Sequence, residues 1–251
     1  MNPKPLYRDI KDFCKAHADE ALVKKYARYF REGYDAYGLS TPLLQGKVDA
    51  VLSYRGMSMD LILKTSEYLV GSGKYEETYF AILLLKAYSR EFDADLLPKI
   101  AHWFDIGIRN WAHTDVLCRD ILSFLLTRKI IEPKDLESWR TSEKKYQRRA
   151  LPVGMIPLLE ITPDFRPLLE FMDPLMLDRE RVVQQGLGWF LREAWKQKKT
   201  PTEALLLKWK NEAPRLIYQY ATEKMTKEHK KRFRRDKRKT GAARKKTTPK
   251  K

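Results

Sequence analysis

From Pro5 onward nearly every stretch of this chain repeats its apolar residues at the 3.6-residue period of a helix, and none alternates convincingly at the two-residue period of a strand. That pattern confines the chain to all-α architectures. Leu22, Tyr26, Tyr29 and Phe30 share one side of a helix expected over about 19–33, with Gly33 available to end it. Ser40-Thr41-Pro42 has the signature of a helix start. Further helices are expected at about 6–17, 42–54, 57–71, 74–90 and 96–107, then from Asn110 through Leu126. Later ones begin near Pro133, Glu143, Pro163 and Asp178, and a final pair runs over about 202–223. Pro152 and Pro157 suit no helix interior and predict a kink or a short helix there.

The landmarks of this pattern recur at helix-pair spacing. Asp115, Arg149 and Trp189 are separated by 34 and 40 residues, and each falls in the second helix of a candidate pair. A degenerate period of that size is near the HEAT type. The expected fold is therefore an all-α, HEAT-like helical-repeat solenoid, a curved α-α superhelix whose second helices line one concave surface. The competing architecture is a compact helical bundle.

Charge divides the chain in two. The formal net charge is +17, and 227–251 holds 14 Lys/Arg against Glu228 and Asp236, leaving only about +5 for the first 226 residues. The expected domains are a repeat domain over 1–226 and a disordered Lys/Arg-rich tail over 227–251. Such a tail fits non-specific contact with DNA or RNA by phosphate neutralisation better than a merely solubilising role. Hydrophobic residues make up 43%, which excludes global disorder. No run approaches a membrane span, and the N-terminus has no signal-peptide core, so a cytoplasmic, nucleoid-associated protein is expected. Cys14 and Cys118 lie far apart in helical patterns, as reduced buried thiols do, rather than in a metal or disulfide pattern.

The stretch Asn110-Trp-Ala-His-Thr-Asp115 carries the sharpest chemical signal. Trp111 and Asp115 are four residues apart and share a helix face. An aromatic plane beside a carboxylate suits a cationic or cation-forming partner. Arg148-Arg149 follows Lys144, Lys145 and Tyr146, and an arginine fork matches the oxygens of a phosphate. Only one of two adjacent arginines can face a given groove. Register against Asp115 places Arg149 inside it and Arg148 at its edge. Gly186 and Gly188, just before Trp189, predict close approach of another backbone or a ligand, since each costs a helix about 1 kcal/mol. Arg192 and Glu193 are placed to tie neighbouring helices. No nucleophile-plus-base pattern, metal-ligand spacing or phosphate-binding glycine loop is present, and His113 falls off the Trp111/Asp115 face.

Taken in order, Ala27-Arg28-Tyr29, Tyr37-Gly38-Leu39-Ser40-Thr41-Pro42, Trp111-x-x-x-Asp115, Tyr146-Gln-Arg-Arg149-Ala150 and Gly188-Trp189-Phe-Leu-Arg-Glu193 resemble the AlkD-type DNA alkylation repair glycosylases over most of 1–225. The resemblance implies a concave groove that binds duplex DNA as a monomer. It implies metal- and cofactor-free hydrolysis of the N-glycosidic bond to cationic N3- or N7-alkylated purines. Asp115 would be the catalytic carboxylate, Trp111 and Trp189 the groove tryptophans, Arg149 the groove arginine on a flanking phosphate, and Tyr29 the N-terminal tyrosine. Two positions depart from the family's pattern: Ala112, often Asp, and Tyr146, often Trp. A non-catalytic DNA- or RNA-binding repeat protein remains the rival, and a protein–protein scaffold leaves the basic tail unexplained.

Overall fold

Five helix starts among the described residues are fixed by side chains that accept the orphan amides of a first turn. Asn2 accepts from Lys4 N, Asp19 from the amides of Ala21 and Leu22, Ser58 from Leu61 N, Asn110 from His113 N, and Thr226 from His229 N. The computed structural model describes residues 2–236, and all regular structure among them is helical. The elements are α1 (Pro3–Ala16), α2 (Glu20–Ala27), α3 (Thr41–Leu52), α4 (Met59–Gly71), α5 (Tyr75–Lys86), α6 (Leu96–Ile106), α7 (Trp111–Leu117), α8 (Ser123–Thr127), α9 (Lys145–Gly154), α10 (Leu158–Ile161), α11 (Arg166–Met172), α12 (Arg181–Gln197), α13 (Lys199–Lys208), α14 (Arg215–Ala221) and α15 (Lys227–Lys231). Short 3₁₀ turns fill several of the links, the longest over Pro133–Thr141.

The helices stack in sequence as a repeat. α5, α7, α9, α12 and α14 each pack on the next, forming one continuous row, while α4 packs on both α1 and α6, and α11 on α13. The seam between them is apolar. Ile10, Phe80, Trp103, Phe165, Phe190 and Tyr218 are fully enclosed, each worth about 1.5–3 kcal/mol of burial. No helix among the described residues is long and apolar enough to cross a membrane. Both cysteines are free and buried, and burial pushes the Cys14 thiol up to about 12.

Four sequence expectations are changed. α2 ends at Ala27 instead of continuing to Gly33, because three-residue turns from Tyr26 and Ala27 to the amides of Tyr29 and Phe30 swing the chain out of the helix. Phe30 then stacks on Tyr34 and Trp111, contacts a straight helix would not make. α5 ends at Lys86, short of Arg90. The helix from Trp111 is interrupted by a π turn over Cys118–Leu122, which lets Cys118 Sγ donate to Ala150 O and Ser123 Oγ to Gly154 O on α9. The ordered domain also runs past residue 226. α15 seats a fully buried Phe233, Arg215 donates to the Phe233 carbonyl, and Glu203 holds both His229 and Arg232. The expected tail therefore cannot begin at Lys227, and its remaining part, 237–251, lies outside the described residues. By contrast, α9 stops at Gly154, two residues beyond Pro152, as the prolines predict.

Candidate active site

Asn110 fixes the start of α7. Its side-chain oxygen accepts from His113 N at 2.9 Å, and its own carbonyl accepts from Thr114 Oγ1 at 2.9 Å. Trp111 is thereby the first helical residue, and Asp115 stands one turn on, above the same face. The two lie on the wall of a groove of about 540 Å³ that is also lined by Tyr29, Arg149 and Trp189. With Tyr220 of α14, residues from five segments of the chain converge on one cavity.

Asp115 is held from α9. Arg149 Nε and Nη2 donate to Oδ1 and Oδ2, each at 2.8 Å, and Nη1 donates to the Val182 carbonyl at the start of α12, at 2.6 Å. One guanidinium thus locks α7, α9 and α12 together through charge-assisted bonds in a fixed fork geometry. The Arg149 side chain is only 8% exposed, against 20% for Asp115. Arg149 thus commits three of its five N–H donors to Asp115 and the Val182 carbonyl, leaving two for the expected phosphate contact. Arg148, expected at the groove's edge, turns onto Asp178 Oδ2 at 2.6 Å and the Ser142 carbonyl, outside the groove lining.

The two interior glycines of α12 explain the spacing. A Cβ on Gly186 would stand 3.3 Å from Arg149 Cγ, and one on Gly188 would stand 2.6 Å from Tyr220 Cβ and 2.8 Å from the Ile217 carbonyl. Gly186 leaves room for the arginine, and Gly188 lets α14 close on α12. The latter contact seats Tyr220 in the groove, where its hydroxyl accepts from Gln185 Nε2 at 2.8 Å. Trp189, half-buried, follows on the groove side. Arg192 ties the far end by pairing with Glu193 and with Glu223.

Trp111 is partly covered. Phe30 stacks on it, with centroids 5.5 Å apart and planes within 15°, and its indole N–H donates to the Tyr29 carbonyl at 3.3 Å. The Tyr29 ring itself is exposed and lies under the Arg28 guanidinium.

A family model described as DNA alkylation repair enzyme matches residues 10–225. The chain belongs to that family. Among solved structures, a predicted DNA alkylation repair enzyme from Enterococcus faecalis superposes with a TM-score of 0.69 at 16% identity, covering 84% of this chain and 97% of that one. AlkD2 from Streptococcus mutans superposes with a TM-score of 0.55 at 18% identity, covering 81% and 97%. At such identities the likeness is one of fold, and it assigns this DNA alkylation repair family member the AlkD-type helical-repeat architecture. No curated protein sequence matches the chain.

In this family member His113 sits beside the site without entering it. It is buried, its Nε2–H donates to the Tyr75 carbonyl at 2.9 Å, and Nδ1 accepts from Asn110 Nδ2 at 2.9 Å. Burial pushes its imidazole down to about 4, outweighing the opposing effect of the Tyr75 bond. Ala112 is buried too, so a carboxylate at that position would be desolvated, and Ala is the coherent choice. Sequence reasoning missed Phe30, Glu32, Glu180 and Tyr220 as groove residues. The first two were hidden by the expected extension of α2, and Tyr220 had no signal beyond an aromatic at helical spacing.

Proposed function

We propose that this DNA alkylation repair family member is a DNA glycosylase that hydrolyses the N-glycosidic bond of cationic N3- or N7-alkylated purines in duplex DNA, acting as a monomer without a metal. The observation that carries this reading is a carboxylate, Asp115, rigidly held by Arg149 and opening into a cavity walled by Trp111 and Trp189. An alkylated purine carries its positive charge before the reaction and leaves as a neutral base, so strong acid catalysis is unnecessary. What must be stabilised is the oxocarbenium-like sugar left when the electron pair of the C1′–N bond goes to the base. A pre-oriented carboxylate does that without reorganising during the reaction. Water then bonds to C1′, loses a proton to solvent, and leaves an abasic site.

Arg149 sets the orientation of Asp115 and keeps both oxygens in a defined plane. The Trp111 and Trp189 rings supply cation–π attraction as the sugar gains charge. On this reading Tyr29 and the basic residues of 237–251 contact the DNA. The second reading, a DNA- or RNA-binding repeat protein without catalysis, draws on the completeness of the Asp115–Arg149 pair, which would also serve as a purely structural clamp.

Release of 7-methylguanine from methylated duplex DNA, measured for the wild type and Asp115→Asn, separates the two. The expected result is release by the wild type without added metal and a loss of about 10²–10³-fold in the variant with DNA binding retained. Equal release by both proteins would remove Asp115 from the chemistry, and no release by the wild type would leave the binding reading.

A further inference from the structure

Besides Asp115, two acidic side chains, Glu32 and Glu180, line a groove that, on the reading above, receives a polyanion. The segment that leaves α2 reaches across the cavity mouth to α9, and there Glu32 Oε1 accepts from Lys145 Nζ at 2.6 Å while Glu32 Oε2 accepts from the Tyr146 hydroxyl at 3.1 Å. These partners are more than 110 residues apart in the chain. Two donors from adjacent residues of one helix are therefore aimed at one anionic group with two acceptor oxygens. A phosphodiester presents the same form, and Lys and Tyr donors are common phosphate partners. Glu180, the other acid near Lys145, stands at 3.9 Å, beyond hydrogen-bond reach.

The same segment covers the site. Phe30 lies on the Trp111 ring and the Tyr29 carbonyl holds the indole N–H. Beyond Glu32 comes Gly33, at φ +104° with nothing near its Cβ position, a backbone state that favours glycine and leaves space to move. Asp35 then anchors the end of the strap, its carbonyl accepting from Tyr75 N at 2.8 Å.

We propose that Lys145 and Tyr146 form a DNA-backbone phosphate site that Glu32 fills in the free protein, and that an incoming phosphate displaces Glu32 and swings the strap about Gly33. Displacement draws Phe30 off Trp111, so that occupying the phosphate site uncovers the tryptophan beside Asp115. The Glu32 pair is half-exposed, with side-chain exposures of 29% for Lys145 and 50% for Glu32. A contact of that kind is weak enough for a phosphate to replace it. The inference rests on the reading of the groove as a DNA site but not on glycosylase chemistry.

The test measures binding of the full chain to unmodified duplex DNA for wild type, Glu32→Gln, Lys145→Met and the double variant. Glu32→Gln should bind roughly two- to fivefold more tightly, Lys145→Met more weakly, and Glu32→Gln should give no gain once Lys145 is replaced. An equal gain in both backgrounds would be a general effect of removing a negative charge and would overturn the proposal. In the wild type, DNA should speed amide exchange over 29–34, and unchanged exchange there would overturn the displacement. Loss of base release with this binding pattern intact removes the glycosylase reading and leaves the site. Base release without the Glu32–Lys145 coupling removes the site alone, and absence of duplex binding by all four proteins also overturns it.

Discussion

Asp115 and Arg149, 34 residues apart, meet in a two-point ion pair with each donor nitrogen 2.8 Å from its own carboxylate oxygen. Positioning and phosphate contact predict different kinetics for Arg149→Lys. An ammonium keeps the charge but lacks the planar fork and cannot also reach Val182. Base release should fall in kcat by about 10- to 100-fold with DNA affinity near that of the wild type. A phosphate role would instead weaken binding and spare kcat. Removing the fork altogether, in Arg149→Met, should also cost about 1–3 kcal/mol in denaturant unfolding, less than for a fully buried pair because Asp115 is partly exposed.

The glycines of α12 give a graded stability test. Gly188→Ala sets a methyl against the Ile217 carbonyl and Tyr220 Cβ, neither of which can yield without moving α14. It should lower stability by about 1–3 kcal/mol and shift Tyr220 in the groove. Gly186→Ala meets Arg149 Cγ and Val153 Cγ2 instead, each at 3.3 Å and needing to give by only a few tenths of an ångström, and should cost less in melting while altering base release more. Equal Tm shifts for the two would mean that the α12–α14 contact is looser than its distances.

His113 makes part of the stability pH-dependent. Its folded value, pushed down to about 4 by burial, lies below the ordinary 6.5 of the unfolded chain. The unfolded state therefore binds more protons between those values. The contribution is fully present above 6.5 and is lost as pH falls from 6.5 toward 4, by about 3 kcal/mol in all. Urea unfolding from pH 7 to pH 4 should show this slope in the wild type and a flatter one in His113→Asn, beyond what the carboxylates contribute to both.

Two truncations should behave differently. Removing 237–251 takes away eight Lys/Arg and leaves α15 in place. It should preserve the melting temperature, weaken DNA binding at low salt and flatten its salt dependence. Removing 227–251 also strips out Phe233, fully buried, along with the partners of Glu203. It should cost at least the 3–5 kcal/mol or so of deleting a large core side chain. Identical melting of the two truncations would show that α15 adds no stability.

Helical class, the repeat and the pairing of Trp111 with Asp115 were legible because each depends on spacing along one chain, which the 3.6-residue period converts directly into a shared face. A helix start at Asn110, the early stop after Pro152 and the close approach at Gly188 were legible for the same reason, since each is a local rule of backbone chemistry. The end of α2 was not. Leu22, Tyr26 and Phe30 keep helical spacing, yet Phe30 stacks on Trp111, 81 residues away, a contact no local pattern encodes. Composition likewise drew the tail boundary at Lys227, because charge density hides a single buried aromatic such as Phe233.

The sequence by itself determined an all-helical repeat, a carboxylate beside a tryptophan, and an arginine and a second tryptophan at repeat spacing. Only the tertiary structure decided what Arg149 does with its donors. From sequence, an arginine in a groove and an arginine on a carboxylate look the same, because a guanidinium takes either anion. The choice was made by distance: α9 packs between α7 and α12 closely enough, over Gly186, that Asp115 and the Val182 carbonyl take all three bonding nitrogens.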